Sequence, residues 1–101
     1  MAKQLTIVAH LYVKEEKLEE AKKFLLDLIE KSRSEADCID YHLHQDNENP
    51  LEFTFYENWT DRPAWDRHME LPYLKELGRR REEFFSRPTQ IRFMSMISPR
   101  D

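Results

Sequence analysis

Four stretches of the chain alternate apolar and polar residues with a period of two, and two others repeat at three and four. From Gln4 to Val13, Leu5, Ile7, Ala9, Leu11 and Val13 share one side and Thr6, Val8, His10 and Tyr12 the other, the geometry of a strand. Both sides are largely apolar, which predicts a strand covered on both faces. From about Glu16 to Arg33, Leu18, Ala21, Phe24, Leu25, Leu28 and Ile29 recur at helical spacing among Lys and Glu, so an amphipathic helix is predicted. Ile39, Tyr41, Leu43 and Gln45 then alternate with Asp40, His42 and His44. After the turn-forming run Asp46-Asn47-Glu48-Asn49-Pro50, residues 51–59 place Leu51, Phe53, Phe55, Glu57 and Trp59 opposite Glu52, Thr54, Tyr56 and Asn58. This predicts an antiparallel hairpin.

Thr60 or Asp61 is placed to cap a following helix, and Pro63 in its first turn removes only an N–H that would lack a partner. Ala64, Trp65, His68 and Met69 share one side of it. Pro72 re-aims the chain into a further helix carrying Tyr73, Leu74, Leu77, Arg81, Phe84 and Phe85, in which Gly78, the only glycine, is expected to mark close packing. After Pro88, Thr89 to Ile97 reads as a last strand, with Ile91, Phe93, Ser95 and Ile97 opposed by Arg92, Met94 and Met96. The order strand, helix, strand, strand, broken helix, strand predicts an α+β protein of the ferredoxin-like, split βαβ type, a four-stranded antiparallel sheet with helices on one face. The other face, with Val8, Tyr12, Thr54, Tyr56, Met94 and Met96, is too apolar to stay wet. A second copy packed sheet to sheet would cover it, so a homodimer is expected.

With 101 residues and no linker-like stretch, residues 1–101 read as one domain. A core of that size is modest, and a partner subunit adds burial. Sixteen Lys and Arg stand against twenty Asp and Glu, a formal charge of −4, which argues against nucleic acid as a partner. Arg79-Arg80-Arg81 is followed at once by Glu82-Glu83 and reads as a solvated helix face. No apolar run approaches the roughly 20 residues of a membrane span. The lone Cys38 has no internal disulfide partner, and the amino terminus lacks the apolar core of a secretory signal, so a cytoplasmic protein is expected.

No phosphate-binding glycine loop, CxxC pair, HExxH helix or nucleophile elbow occurs. Of the four histidines, His42 and His44 point the same way along one strand, with His10 on a candidate neighbour. They could grip a metal, but no fourth ligand is readable, and polar positions at an interface or sheet rim are the preferred reading; no metal site is assigned. His68 follows Trp59 on a helix that folds naturally over Tyr41, Phe53, Phe55, Glu57 and Trp59. An imidazole there can serve as a base toward a phenol or enol, but spacing alone favours a satisfied structural histidine.

The run Tyr41-x-Leu43-x-Gln45-Asp46, then Phe53-x-Phe55-Tyr56-Glu57-x-Trp59, then Ala64-x-x-x-His68 and Pro72-Tyr73 resembles the antibiotic biosynthesis monooxygenase family, which includes quinol monooxygenases. Where that family often has a Pro-Gly-Cys turn, this chain has Ala36-Asp37-Cys38, without the glycine. The resemblance implies a ferredoxin-like protomer, a dimer whose sheets form an α+β barrel, and a pocket between each sheet and its helices. It implies catalytic roles for His68 and Trp59 and a substrate-binding wall of Tyr41, Phe53, Phe55, Glu57 and Tyr73. It further implies oxidation of a quinol or similar electron-rich aromatic by dioxygen, with no flavin, metal or other cofactor. Within the same resemblance stand isomerases of a small phosphorylated dione, for which Arg33, Lys75 or residues 79–81 would supply an anchor, and more distantly haem-degrading enzymes. A non-catalytic domain that binds a small hydrophobic ligand is the alternative of another class. A hollow bordered by both Trp59 and His68 is expected.

Overall fold

The computed structural model describes residues 4–99; residues 1–3 and 100–101, part of the expected domain, lie outside the described residues. Four strands, β1 (Leu5–Tyr12), β2 (Cys38–Gln45), β3 (Glu52–Trp59) and β4 (Gln90–Met94), form one antiparallel sheet in the order β2-β3-β1-β4. The helices are α1 (Leu18–Arg33), preceded by a 3₁₀ turn at Glu15–Lys17, then α2 (Arg62–Met69), α3 (Pro72–Arg79) and the single turn α4 (Arg81–Phe84). This is the ferredoxin-like arrangement that the alternation of periods predicts.

Register carries the apolar pattern into a core. Leu11 pairs with Phe53, Ala9 with Phe55, Ile7 with Glu57 and Leu5 with Trp59, while Tyr41 of β2 pairs with Glu57 from the other side. One face therefore gathers Ile7, Ala9, Leu11, Tyr41, Phe53, Phe55 and Trp59, all buried. Against them α1 turns Ala21, Leu25, Leu28 and Ser32, spaced four, three and four, as one stripe of a helix requires. The β2–β3 turn is held by the Asp46 side chain, whose Oδ2 accepts from the N–H groups of Glu48 and Asn49 at 2.9 and 2.8 Å. Asp61 caps α2 by accepting from the Ala64 N–H at 2.9 Å, and Pro63 occupies the first turn.

Several expectations are corrected. The last strand ends at Met94, and Ser95, Met96 and Ile97 lie beyond it. The helix expected to run on through Phe85 stops at Arg79 and resumes for one turn, because the end of β1 captures the chain. Lys14 N–H donates to Phe84 O, Ser86 N–H donates to Tyr12 O, both at 2.8 Å, and Phe85 bridges Val13. A β-bulge between Cys38 and Asp40 turns Ile39 out to solvent and packs Cys38 against the core in its place. Gly78 marks no close packing, since a Cβ built there meets nothing within 4 Å. The face of the sheet away from the helices is more polar than expected. Asn58 is buried there, accepting from Thr6 Oγ1 at 2.5 Å and Gln4 Nε2 at 2.9 Å and donating to Asp40 Oδ2 at 2.9 Å.

Candidate active site

Between the covered face of the sheet and α2, α3 and α4 lies a cavity of about 830 Å³. Its floor is Ile7, Ala9 and Leu11 of β1, Tyr41 of β2 and Phe55 and Glu57 of β3; α2 and α3 contribute Trp65, His68, Leu74 and Leu77. Most of this wall is apolar, so the polar atoms that reach it stand in a poorly hydrated setting.

His68 is buried, and α2 presents it one turn after Ala64, which packs in the core. Its Nδ1 donates to Glu35 Oε2 at 2.8 Å, and the same oxygen accepts from the Tyr73 hydroxyl at 2.6 Å. Burial pushes the imidazole below its ordinary pKa, and the Glu35 carboxylate pulls the other way. The ring is therefore neutral at pH 7. With the Nδ1 hydrogen committed to Glu35, Nε2 is the nitrogen left with a lone pair.

Glu57 is the second titratable group of the cavity wall. It is 4% exposed, and burial lifts its carboxyl to a pKa of about 7, opposed by a hydrogen bond from Trp59 and helped by the charge of Glu35. Trp59 Nε1 donates to Glu57 Oε1 at 2.9 Å, which leaves the other oxygen to carry the proton. Burial also holds the Tyr41 and Tyr73 hydroxyls above their ordinary pKa, Tyr73 with further help from Glu35. Both remain donors at neutral pH.

The structure separates residues that the pattern groups together. Tyr41, Phe55, Glu57 and His68 border the cavity. Trp59 does not: fully buried, it lies behind His68, ring centroids 4.5 Å apart, and braces it from the core. The hollow thus meets His68 but not the indole, since the N–H of Trp59 turns to Glu57 instead. Phe53 is core beneath α1, and Tyr73 reaches the site only through Glu35, its ring 6.5 Å from that of His68. Glu35, which ties His68 to Tyr73, escapes sequence reasoning. It lies in the loop after α1 in a run of small and charged residues, 33 positions from its histidine, and no local spacing signals it.

Other candidates fall elsewhere. His10 meets Thr54 Oγ1 at 2.9 Å and His42 meets Arg33 at 3.0 Å, away from the cavity. Among the described residues no group of three or more His, Cys, Asp or Glu is placed to hold a metal. Cys38, its thiol pushed up to about 11 by burial, is no nucleophile at neutral pH. Arg33 also donates to Tyr41 O at 2.9 Å, and Lys75 pairs with Glu70 at 3.3 Å; neither borders the cavity, whereas Arg81 does. No helix among the described residues is long and apolar enough to cross a membrane.

Known proteins share this architecture. A conserved protein from Methanosarcina mazei Go1 is 32% identical, superposes with a TM-score of 0.85 and covers 92% of either chain. A solved antibiotic biosynthesis monooxygenase is 26% identical with a TM-score of 0.87, over 93% of this chain and 99% of that one. An uncharacterized protein of Synechocystis is 32% identical over 88 residues, 87% of this chain, and the match spans 60% of that longer protein. Residues 4–80, which hold β1 to α3 and both His68 and Glu57, match the family profile described as antibiotic biosynthesis monooxygenase, and the chain belongs to that family.

Proposed function

We propose that the protein is a cofactor-independent monooxygenase that oxidises a quinol or a related electron-rich aromatic with dioxygen in the cavity beside His68. The observation that carries this reading is the pairing, in one largely apolar cavity, of a neutral imidazole whose Nδ1 is held by Glu35 with a buried carboxyl that is half protonated near pH 7. A flat ring lies against Tyr41 and Phe55. His68 Nε2 takes the phenolic proton, and protonated Glu57 donates to the oxygen across the ring. The quinolate then gives one electron to dioxygen, and the radical pair combines into a C–O bond at a ring carbon. The resulting hydroperoxide loses water, keeping one oxygen on the ring as a hydroxyquinone. The quinol supplies every reducing equivalent, so quinol plus O2 gives hydroxyquinone plus H2O. Trp59, which does not border the cavity, acts not as a catalytic but as a positioning residue, through its stack on His68 and its bond to Glu57. Phe53 and Tyr73 support the wall from behind.

The same acid and base would also serve enolisation, and Arg81 on the wall favours, as a second reading, an isomerase of a small phosphorylated dione. Oxygen uptake with a hydroquinone panel, together with incorporation of labelled oxygen, separates the readings. The monooxygenase consumes one O2 per quinol and leaves one labelled atom in the product. His68→Ala lowers the rate by about 10²-fold or more. Absence of uptake with every quinol, or an unchanged rate in His68→Ala, defeats the proposal, and turnover of a dione without oxygen selects the isomerase.

The working form proposed is a homodimer of the single domain, in the cytoplasm. Its support is the apolar surface left on the open sheet face, where Tyr56 and Met94 are 38% and 42% exposed beside Val8.

A further inference from the structure

The cavity has two unlike ends. Register places the acid–base end at the Ile7 row, where Tyr41, Glu57 and Ile7 lie side by side across the sheet. From there β1 runs beneath the cavity through Ala9 to Leu11, roughly 13 Å at strand rise. At the far end the lining residues change character to Lys14, Arg81 and Arg87, with Glu82 the one acidic side chain among them. This concentration of positive charge stands out in a chain of formal charge −4.

Among the described residues none of the three cations is neutralised by a carboxylate. Lys14 Nζ donates to the backbone carbonyl of Glu82 at 2.7 Å. Arg87 lies over the ring of Tyr12, an open-face residue, at 3.9 Å, so its guanidinium sits across the rim and adds only to the positive charge there. Arg81 is exposed, and its guanidinium has no ion pair or hydrogen bond among the described residues. Its neighbours differ: Arg79 is paired with Glu76, and Arg80 with Glu83 and Glu20. The opposite end holds Glu57 and, just behind it, Glu35, so an anion is repelled there and attracted here.

Resting on the reading of this cavity as the substrate site, we infer that the substrate is an aromatic of about two rings bearing an anionic substituent, carboxylate or phosphate, which Lys14 and Arg81 hold while the reacting ring faces His68 and Glu57. The charge gradient fixes which end of the molecule meets the base. Arginine and lysine suit this role because their charge-assisted hydrogen bonds to such oxygens outlast competition from water at a partly covered site.

Binding tests this without turnover. Affinities of 5,8-dihydroxy-2-naphthoate, whose carboxylate is on the ring away from the quinol, and its methyl ester, measured under argon by calorimetry, compare one quinol with and without a charge. 1-Naphthyl phosphate and 1-naphthol form the phosphate arm. In at least one pair the anion binds about tenfold tighter at low salt; the favoured pair identifies the anion, and the advantage shrinks as ionic strength rises. Arg81→Gln and Lys14→Gln reduce it, and Glu82→Gln, which removes the opposing charge, increases it. Equal affinity within both pairs, a preference untouched in the Lys14→Gln/Arg81→Gln double variant, or no binding by any of the four compounds overturns the inference. The two proposals fail separately. An anion preference without oxygen uptake removes the monooxygenase and leaves the anion site, whereas uptake with equal affinities does the reverse.

Discussion

The two faces of the sheet are built from the same strands, yet they treat polar groups in opposite ways. On the covered face Glu57 and His68 are cut off from water beside aromatic rings, and their proton affinities move in opposite directions. On the open face, one residue along β3, Asn58 is as deeply buried but neutral, with its amide engaged by Thr6, Gln4 and Asp40. Burying an ionisable group without a full set of partners makes a reactive site, whereas burying a satisfied amide makes a rigid frame. Alternation along one strand thus sets ionisable groups in an apolar site on one side and a satisfied polar frame on the other.

The largest effect that could break this contrast is at Trp59. Trp59→Ala opens a void beneath Tyr41 and His68 and is expected to cost about 3–5 kcal/mol in urea titrations. Tyr56→Ala, on the opposite face of the same strand and 38% exposed, is expected to cost about 1 kcal/mol or less in the dissociated chain. If the open face is where copies meet, its further effect appears only as a loss of dimer in sedimentation. Equal costs for the two in dilute protein would refute the asymmetry.

Next is the pH dependence of stability. Glu57 has a folded pKa of about 7, raised from 4.5, so the native state binds its proton more tightly than the unfolded chain does. Its contribution is complete below about pH 4.5 and is lost as pH rises through about 7, on the order of 3 kcal/mol in all. Glu57→Gln should flatten that decline between pH 5 and 8.5. His68, lowered by burial, acts with opposite sign, its contribution fading as pH falls below the unfolded value of 6.5. Trp59→Phe keeps a ring but removes the bond that lowers the Glu57 pKa, so the alkaline decline should move to higher pH. An unshifted decline would mean that the indole does not tune the carboxyl.

A smaller effect sharpens the contrast from the other side. Asn58→Ala leaves Thr6 and Asp40 short of a partner and is expected to cost about 2 kcal/mol, with no change in the pH profile. A changed profile would couple the two faces.

The alternation in residues 5–13 and 51–59 makes the strands, their faces and the ferredoxin-like order readable in advance, because a period of two has one structural meaning once one face is buried. His68 and Glu57 are legible for the same reason, each lying on an apolar stripe. Less legible are features made by contacts across long stretches of chain. Glu35 meets His68 only after α1 and α2 pack, the break at Arg80 depends on capture of residues 84–86 by β1, and the bulge that exchanges Ile39 for Cys38 breaks the pattern. The place of Trp59 was half readable. Its face follows from parity, but whether an indole on that face fills the core or borders a hollow depends on where α2 comes to rest.

Gly78 gives the smallest effect and the finest test of where the covered face is sealed and where it is open. It lies in α3 on the cavity wall, exposed, with no positive φ and nothing within 4 Å of a built Cβ. A glycine kept for close packing would make Gly78→Ala destabilising. Here the methyl meets open space, so the variant should gain about 0.5–1 kcal/mol from helix propensity and a less flexible unfolded chain. A loss of stability would mean that the closed part of the face extends along α3 past Gly78, toward Arg81.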